Sequence, residues 1–423
     1  MLDIKFIREN RGEVERSLKM RRRSIDLDKL LEMDDERHKL QLRFENFQAK
    51  KNRVSKEIVT KKDADKKAIL NEMKKMDVEQ AEVEGKLRML KDKMQVILLE
   101  MPNILDSRVP QGASDKENKE IKKWGDLPKF KFEPKDHITL GKELDIIDFE
   151  SGVKVAGSRS YILKGDGARL EQALIKYAQD FITNRGYCLL IVPVLINKEI
   201  LVGAGFFPEG EEQVYYVQQD DKYLVGTSEA SICGMHMNDI VDGQQLPLKY
   251  AGVSSCFRRE AGTYGKDTQG LYRVHQFNKV EQLIICKNDK DESERMHAEL
   301  QKNTEDLLQS LKLPYRIVVN CSGDLAAKTA YMVDLETWMP SREGYGETHS
   351  CSILYDYQAR RLNLRYRDAD GKIHFCHTLN NTVIATPRIL IPILEIYQNV
   401  DGSITIPEVL RPYMAGQERI VKK

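Results

Sequence analysis

The chain has 423 residues, of which 41% are hydrophobic and 31% charged, and its net charge is +1. That make-up excludes a disordered or fibrous protein and fits two or three globular domains. No window approaches about 18 uninterrupted apolar residues, and the opening MLDIKFIREN lacks the basic-then-apolar layout of an export signal, so no membrane span is expected and a cytoplasmic location is the default.

From residue 28 to residue 100 there is no proline and a dense mix of Lys, Arg, Glu and Asp, the composition of long exposed helices. Leu30, Met33, Leu40, Phe44, Phe47, Val54 and Ile58 recur at alternating three- and four-residue spacings, with Arg37 and Lys51 filling two slots of the same series. Ile69, Met73, Met76, Val83, Leu87, Leu90, Met94 and Ile97 form a second series interrupted by Gln80, and the run KKDADKK at 61–67 reads as a polar turn between them. The pattern predicts an antiparallel two-helix coiled-coil arm within residues 1–100, each helix roughly 45 to 50 Å long. Lys50, Lys51, Arg53, Lys56, Lys61, Lys62, Lys66 and Lys67 gather near its tip, a positive end suited to phosphates. A merely solvated coiled-coil surface would carry the same charges.

Residues 101–135 open on Met101-Pro102 and are rich in Asp, Glu, Lys, Gly and Pro, reading as a linker with little regular structure. Beyond it, at 136–423, helical windows such as 167–185 alternate with short β-rich runs at 188–194, 213–217 and 316–320, so an α+β domain is expected. Neither GxGxxG nor GxxxxGK[ST] occurs, so a nucleotide site would not be of the Rossmann or P-loop kind. The seven cysteines are odd in number, widely spaced and without a CxxC pair, which argues against a disulfide framework. His374, Cys376 and His377 cluster, but at a spacing that also fits a strand, and no zinc is expected.

Three stretches carry candidate chemistry. The first, GDGARLEQALIKYAQDFITNRGYCLLIVPVL, reads as a helix running into a strand. In the second, SSCFRREAGTYGKDTQGLYRVHQFNKVEQ, two strands flank a glycine-containing loop, with Arg258 and Arg259 directly before Glu260. Arginine suits phosphate because its planar guanidinium binds two oxygens at once and keeps its charge. The third, TLNNTVIATPRILIPILEIYQNVDGSITIPEVLRPYM, reads as a strand entering a helix that Thr386 can cap, with Pro387 first inside it and Arg388 in its first turn. Pro392 falls within that helix, where it is expected to remove a hydrogen bond and kink it.

Together, in this order, the three stretches resemble the signature motifs of class II aminoacyl-tRNA synthetases, and over its whole length the chain resembles the seryl-tRNA synthetase family. The resemblance implies a mixed, mainly antiparallel catalytic sheet flanked by helices, and ATP-dependent formation of seryl-adenylate followed by transfer to the 3′ end of tRNA(Ser). Whether tRNA(Sec) is also served is left open. It implies that Thr227, Ser228, Glu229, Arg258, Glu281, Asn380 and Thr382 bind L-serine, and that Arg258, Arg259, Glu260, Val274, Phe277, Glu347, Thr348, His349, Ser350 and Arg388 bind ATP. Within those sets Glu281 would select the serine hydroxyl, Thr382 would close the pocket against an added methyl, Phe277 would stack on adenine, and Glu347 and Ser350 would hold Mg2+. The arm, through Lys50, Lys51, Arg53, Lys56, Lys61 and Lys62, would grip tRNA(Ser), and the first stretch would form a homodimer interface. The alternative is a non-catalytic relative acting as an RNA-binding or regulatory module, against which the intact motifs count.

Overall fold

The computed structural model describes residues 1–58, 63–262 and 269–422, and the chain divides into two compact units, Met1–Pro102 and Asn103–Lys423.

The first unit is helical: α1 (Ile4–Glu9), α2 (Arg11–Met20), α3 (Leu27–Glu57) and α4 (Asp63–Glu100). Asp26 starts α3 by accepting the N–H of Lys29 at 2.9 Å. The heptad series predicts the seam: Leu30, Met76, Val83, Leu87 and Met94 are buried, and Met33, Leu40, Phe44, Phe47 and Val54 are half-buried among exposed neighbours. Arg37, Lys51 and Gln80 occupy their slots too. Two of these polar interruptions meet, the Lys51 ammonium donating to Gln80 Oε1 at 3.0 Å and pairing with Asp77. With Lys91 reaching Gln41 at 3.4 Å and Lys50 reaching Glu72 at 3.0 Å, the helices run antiparallel. A matched polar layer of this kind costs stability and fixes register. Of the turn expected at 61–67, residues 61 and 62 lie outside the described residues and Asp63 onward already belongs to α4; Asp and Lys are as acceptable in a first helical turn as in a loop.

The second unit is built on a sheet of eight strands among the described residues: β1 (Lys119–Trp124), β2 (Cys188–Ile191), β3 (Leu248–Phe257), β4 (Gln276–Cys286), β5 (Tyr315–Val319), β6 (Tyr331–Met339), β7 (Gly344–Tyr355) and β8 (His377–Thr386), in the order β1-β5-β6-β7-β8-β4-β3-β2. Every pair is antiparallel except β2 with β3. Helices α5 (Gly165–Thr183) and α7 (Lys290–Ser310) cover one face, toward which Gln282 donates to Leu300 O at 3.0 Å. The neighbouring Glu281 therefore faces the other side, where α6 (Ser228–Met235) lies against Gly252, its partner in register. A Cβ on Gly252 would stand 2.6 Å from the Ser228 hydroxyl, so only glycine lets α6 come this close.

Three expectations are corrected. Part of the supposed linker is structured: β1 is an edge strand of the main sheet, and its lysines, exposed on an edge, gave no alternation to read. The run at 213–217 is a strand only at Tyr216–Val217 and begins as a 3-10 turn, Glu211–Gln213. The last helix, α8 (Leu390–Ile396), starts later than the Thr-Pro pair suggests. The Thr386 hydroxyl donates to Glu171 Oε1 at 2.5 Å instead of capping, and Pro392 is the third residue of α8, where its missing N–H has no acceptor to lose.

Candidate active site

Glu281, on β4, is 1% exposed. Its Oε2 pairs with Lys279 Nζ at 2.7 Å and its Oε1 accepts Asn380 Nδ2 at 2.8 Å, with the Thr382 hydroxyl 3.5 Å away. Asn380 Nδ2 also reaches Glu229 Oε2 at 3.3 Å. Glu229, buried in the first turn of α6, further takes Lys328 Nζ at 2.6 Å and Gln358 Nε2 at 2.7 Å, while Thr227 caps that helix. Two buried carboxylates are thus bridged by one amide and flanked by two ammonium groups, the compensation that burial of charge demands. Asn380 Oδ1 is buried with no partner. Ser228 sits beside this network but directs its hydroxyl to Gly252 O at 3.2 Å. Lys279, Lys328 and Gln358 belong to the network although no motif assigned them; an isolated lysine looks like surface until its strand alternation places it beside Glu281.

Next to this pocket lies a cleft of about 70 Å3 lined by Arg258, Glu260, Val274, Phe277, Glu347, Thr348, Ser350, Thr382 and Arg388. The Arg258 guanidinium lies 5.2 Å from the Phe277 ring centre, and its Nε donates to Gly226 O at 3.4 Å. Glu260 adopts φ 52° and pairs with Arg273 at 3.4 Å. Arg388 precedes α8 in a turn, so its position is set not by a helix end but by Tyr272 O at 3.1 Å, Glu347 O at 3.0 Å and the Tyr272 ring at 4.4 Å.

The register of β6 with β7 slips between Glu347 and His349, leaving Thr348 unopposed. This bulge puts Glu347 and Ser350 on one face and turns His349 inward. His349 is 1% exposed, hydrogen-bonds Thr348 Oγ1 at 2.9 Å, and burial depresses its pKa to about 3, so it is not a wall of the cleft as expected for an ATP contact. Arg259 also lies outside the cleft lining, exposed, with its N–H donating to Gln213 O at 2.9 Å.

A divalent cation fits here by donor chemistry. Glu347 presents a half-exposed carboxylate beside Ser350, and Asp334, opposite Ser350 in register, is buried with an Oδ1 that has no partner. Burial, then the charge of Glu347, hold the Asp334 carboxyl well above the usual range. Among the described residues no group of three or more His, Cys, Asp or Glu could hold a metal by itself. Hard oxygens in small number, completed by phosphates and water, suit magnesium.

On the arm, Lys50 and Lys51 are engaged with the facing helix, Arg53 and Lys56 are exposed farther out, and Lys61 and Lys62 lie outside the described residues. No helix among the described residues is long and apolar enough to cross a membrane.

The seryl-tRNA synthetase N-terminal domain model matches residues 1–105, and the tRNA synthetase class II core domain model (G, H, P, S and T) matches residues 214–397. The chain is 43% identical over 418 residues to the serine--tRNA ligase of Deinococcus radiodurans, covering 99% of this chain and 98% of the relative. It is 40% identical over 423 residues to that of Nitrosopumilus maritimus, covering 99% and 100%. A seryl-tRNA synthetase from Pyrococcus horikoshii, solved in complex with ATP, superposes with a TM-score of 0.92 at 37% identity and full coverage of both chains. Motifs, sheet and relatives agree over both units, and the chain belongs to the seryl-tRNA synthetase family of class II aminoacyl-tRNA synthetases.

Proposed function

We propose that the protein is a serine--tRNA ligase that first joins L-serine to AMP and then transfers the seryl group to the 3′ end of tRNA(Ser). The observation that carries this reading is the pairing of Glu229 and Glu281 through Asn380 at the edge of an arginine-lined cleft. Glu229, with Thr227 and the free Asn380 Oδ1, offers acceptors to the substrate ammonium. Glu281, paired with the Lys279 ammonium, accepts a hydrogen bond from the serine hydroxyl, and Thr382 limits the space around it. An analogue without the hydroxyl leaves that buried acceptor unmatched, which is why alanine is rejected more strongly than one methylene would allow.

Arg258 aligns the serine carboxylate with the α-phosphate, Phe277 and Glu260 hold adenine, and Arg388 takes the terminal phosphate. The carboxylate oxygen attacks phosphorus, the bond to the bridging oxygen breaks, and pyrophosphate leaves. The terminal adenosine hydroxyl of the tRNA then attacks the seryl carbonyl and AMP departs. These groups act by alignment and by matching charge as it develops. Magnesium, held by Glu347 and Ser350, supplies further charge neutralisation on the phosphate oxygens when bound. The arm binds the tRNA backbone through Arg53, Lys56 and their neighbours, reading shape more than base sequence. A cytoplasmic homodimer is part of the same reading, supported by the family and by the apolar edge of β2.

Serine-dependent ATP–pyrophosphate exchange tests the assignment, with alanine, threonine and glycine as controls. Exchange with serine is expected, and Glu281→Ala is expected to lower kcat/KM for serine by about 100-fold or more. Exchange with none of the four amino acids from folded protein would exclude the reading.

A further inference from the structure

Glu395, in the last turn of α8, is completely buried. Two segments satisfy its carboxylate: the N–H and Nδ1 of His137 at 3.0 and 2.7 Å, and the N–H and hydroxyl of Ser341 at 2.9 and 2.7 Å. With Nδ1 donating to the carboxylate, Nε2 of a neutral imidazole is left as an acceptor, and it takes the N–H of Leu271 at 3.2 Å. Gly270, at φ 78°, makes that approach possible, since a Cβ there would stand 2.5 Å from His137 Nε2.

The next residue is Tyr272, whose carbonyl accepts Arg388 Nε and whose ring lies 4.4 Å from the Arg388 guanidinium and 4.1 Å from that of Arg342. Arg342 follows Ser341, and Arg388 leads into the helix that carries Glu395. The contacts therefore close into a ring, with the His137 side chain joining Glu395 to the backbone beside Tyr272. No step of the reaction above uses His137 or Glu395.

We propose that His137 is a positioning residue for ATP: oriented by Glu395, its Nε2 fixes Leu271 and Tyr272, and Tyr272 in turn aims Arg388 at the terminal phosphate. The inference rests on the assignment of Arg388 to ATP. Because Arg388 meets a phosphate that binds before chemistry, loss of its support acts on ATP binding more than on turnover.

The test compares wild type, His137→Asn and His137→Gln in pyrophosphate exchange on the full chain, reading KM for ATP, KM for serine and kcat. Asparagine retains a donor for Glu395 but is too short to reach Leu271, whereas the glutamine oxygen can take that N–H. The Asn variant is expected to raise KM for ATP about tenfold with kcat and KM for serine within about twofold, and the Gln variant to stay within about threefold of wild type throughout. An unchanged KM for ATP in the Asn variant, equal effects of Asn and Gln, or parallel rises in both KM values would overturn the role of His137 while leaving the proposed function standing. A wild type inactive with serine would remove that function, and this inference with it.

Discussion

Burial of ionisable side chains in this catalytic unit has consequences that acid should reveal. His297 and His377 are held down to about 4 and His349 to about 3, in each case chiefly by burial away from water. Unfolded imidazoles take up a proton near about 6.5, so between that pH and the folded values the unfolded chain binds more protons. Their contribution to stability is fully present above the unfolded value and is lost as pH falls toward 4. Asp334, whose carboxyl is raised, acts in the opposite sense: its unfolded form gives up its proton first, and stability declines as pH rises through its window. Unfolding free energies from urea titrations at intervals from pH 7 to pH 4.5 are expected to fall with acid, and His349→Asn to reduce that slope by up to about 1.4 kcal/mol per pH unit. An unaltered slope would show that His349 titrates alike in both states. Legibility at this scale was uneven. Motif order marks Arg258, Glu281, Glu347 and Arg388; the inward turn of His349 follows from a bulge at Thr348 that shifts the alternation by one, and bulges leave no mark in a hydrophobic pattern. Lys328 and His137 meet their partners Glu229 and Glu395 across 99 and 258 positions of chain, distances over which spacing carries no information.

Among the elements, the arm was the most legible because its seam repeats many times. Seven-residue repetition survives two charged interruptions, and Lys51 and Gln80 turned out to answer one another across the seam. That pairing also sorts the basic residues: a lysine already neutralised by a facing acid contributes less to an RNA backbone than one directed outward. The double variant Arg53→Glu/Lys56→Glu is expected to raise KM for tRNA in aminoacylation about tenfold or more at moderate salt, while pyrophosphate exchange without tRNA stays unchanged. Equal loss in both assays would place those residues in folding instead of RNA binding. The start of α8 departs from the sequence expectation for a tertiary reason. Thr-Pro is a good opening for a helix, but the Thr386 hydroxyl is claimed by Glu171 of α5, a tertiary contact that overrides the local preference.

For the whole molecule, the edge of the sheet poses the clearest question. Ile191, in β2, is 90% exposed, Leu189 in the same strand is 39% exposed, and β2 is paired on one side only. An apolar open edge invites a second strand. Ile191→Lys is expected to weaken self-association at least about tenfold in sedimentation equilibrium, as the cost of burying an unmatched charge implies; an unshifted association constant would locate the interface elsewhere. At the far edge, β1 contributes to the same sheet from residues 119–124, yet its partner β5 lies at 315–319, and Asn103 gives its side-chain amide to Lys328 O and Leu354 O. During synthesis from the N-terminus, the helical first unit has all its own contacts available once about a hundred residues have emerged. The stretch that follows must wait for some two hundred more residues before its hydrogen-bond partners exist. Such a chain spends that interval with a lysine-rich strand unpaired, and the charge that hid β1 from the hydrophobic pattern is also what keeps it from aggregating until β5 arrives.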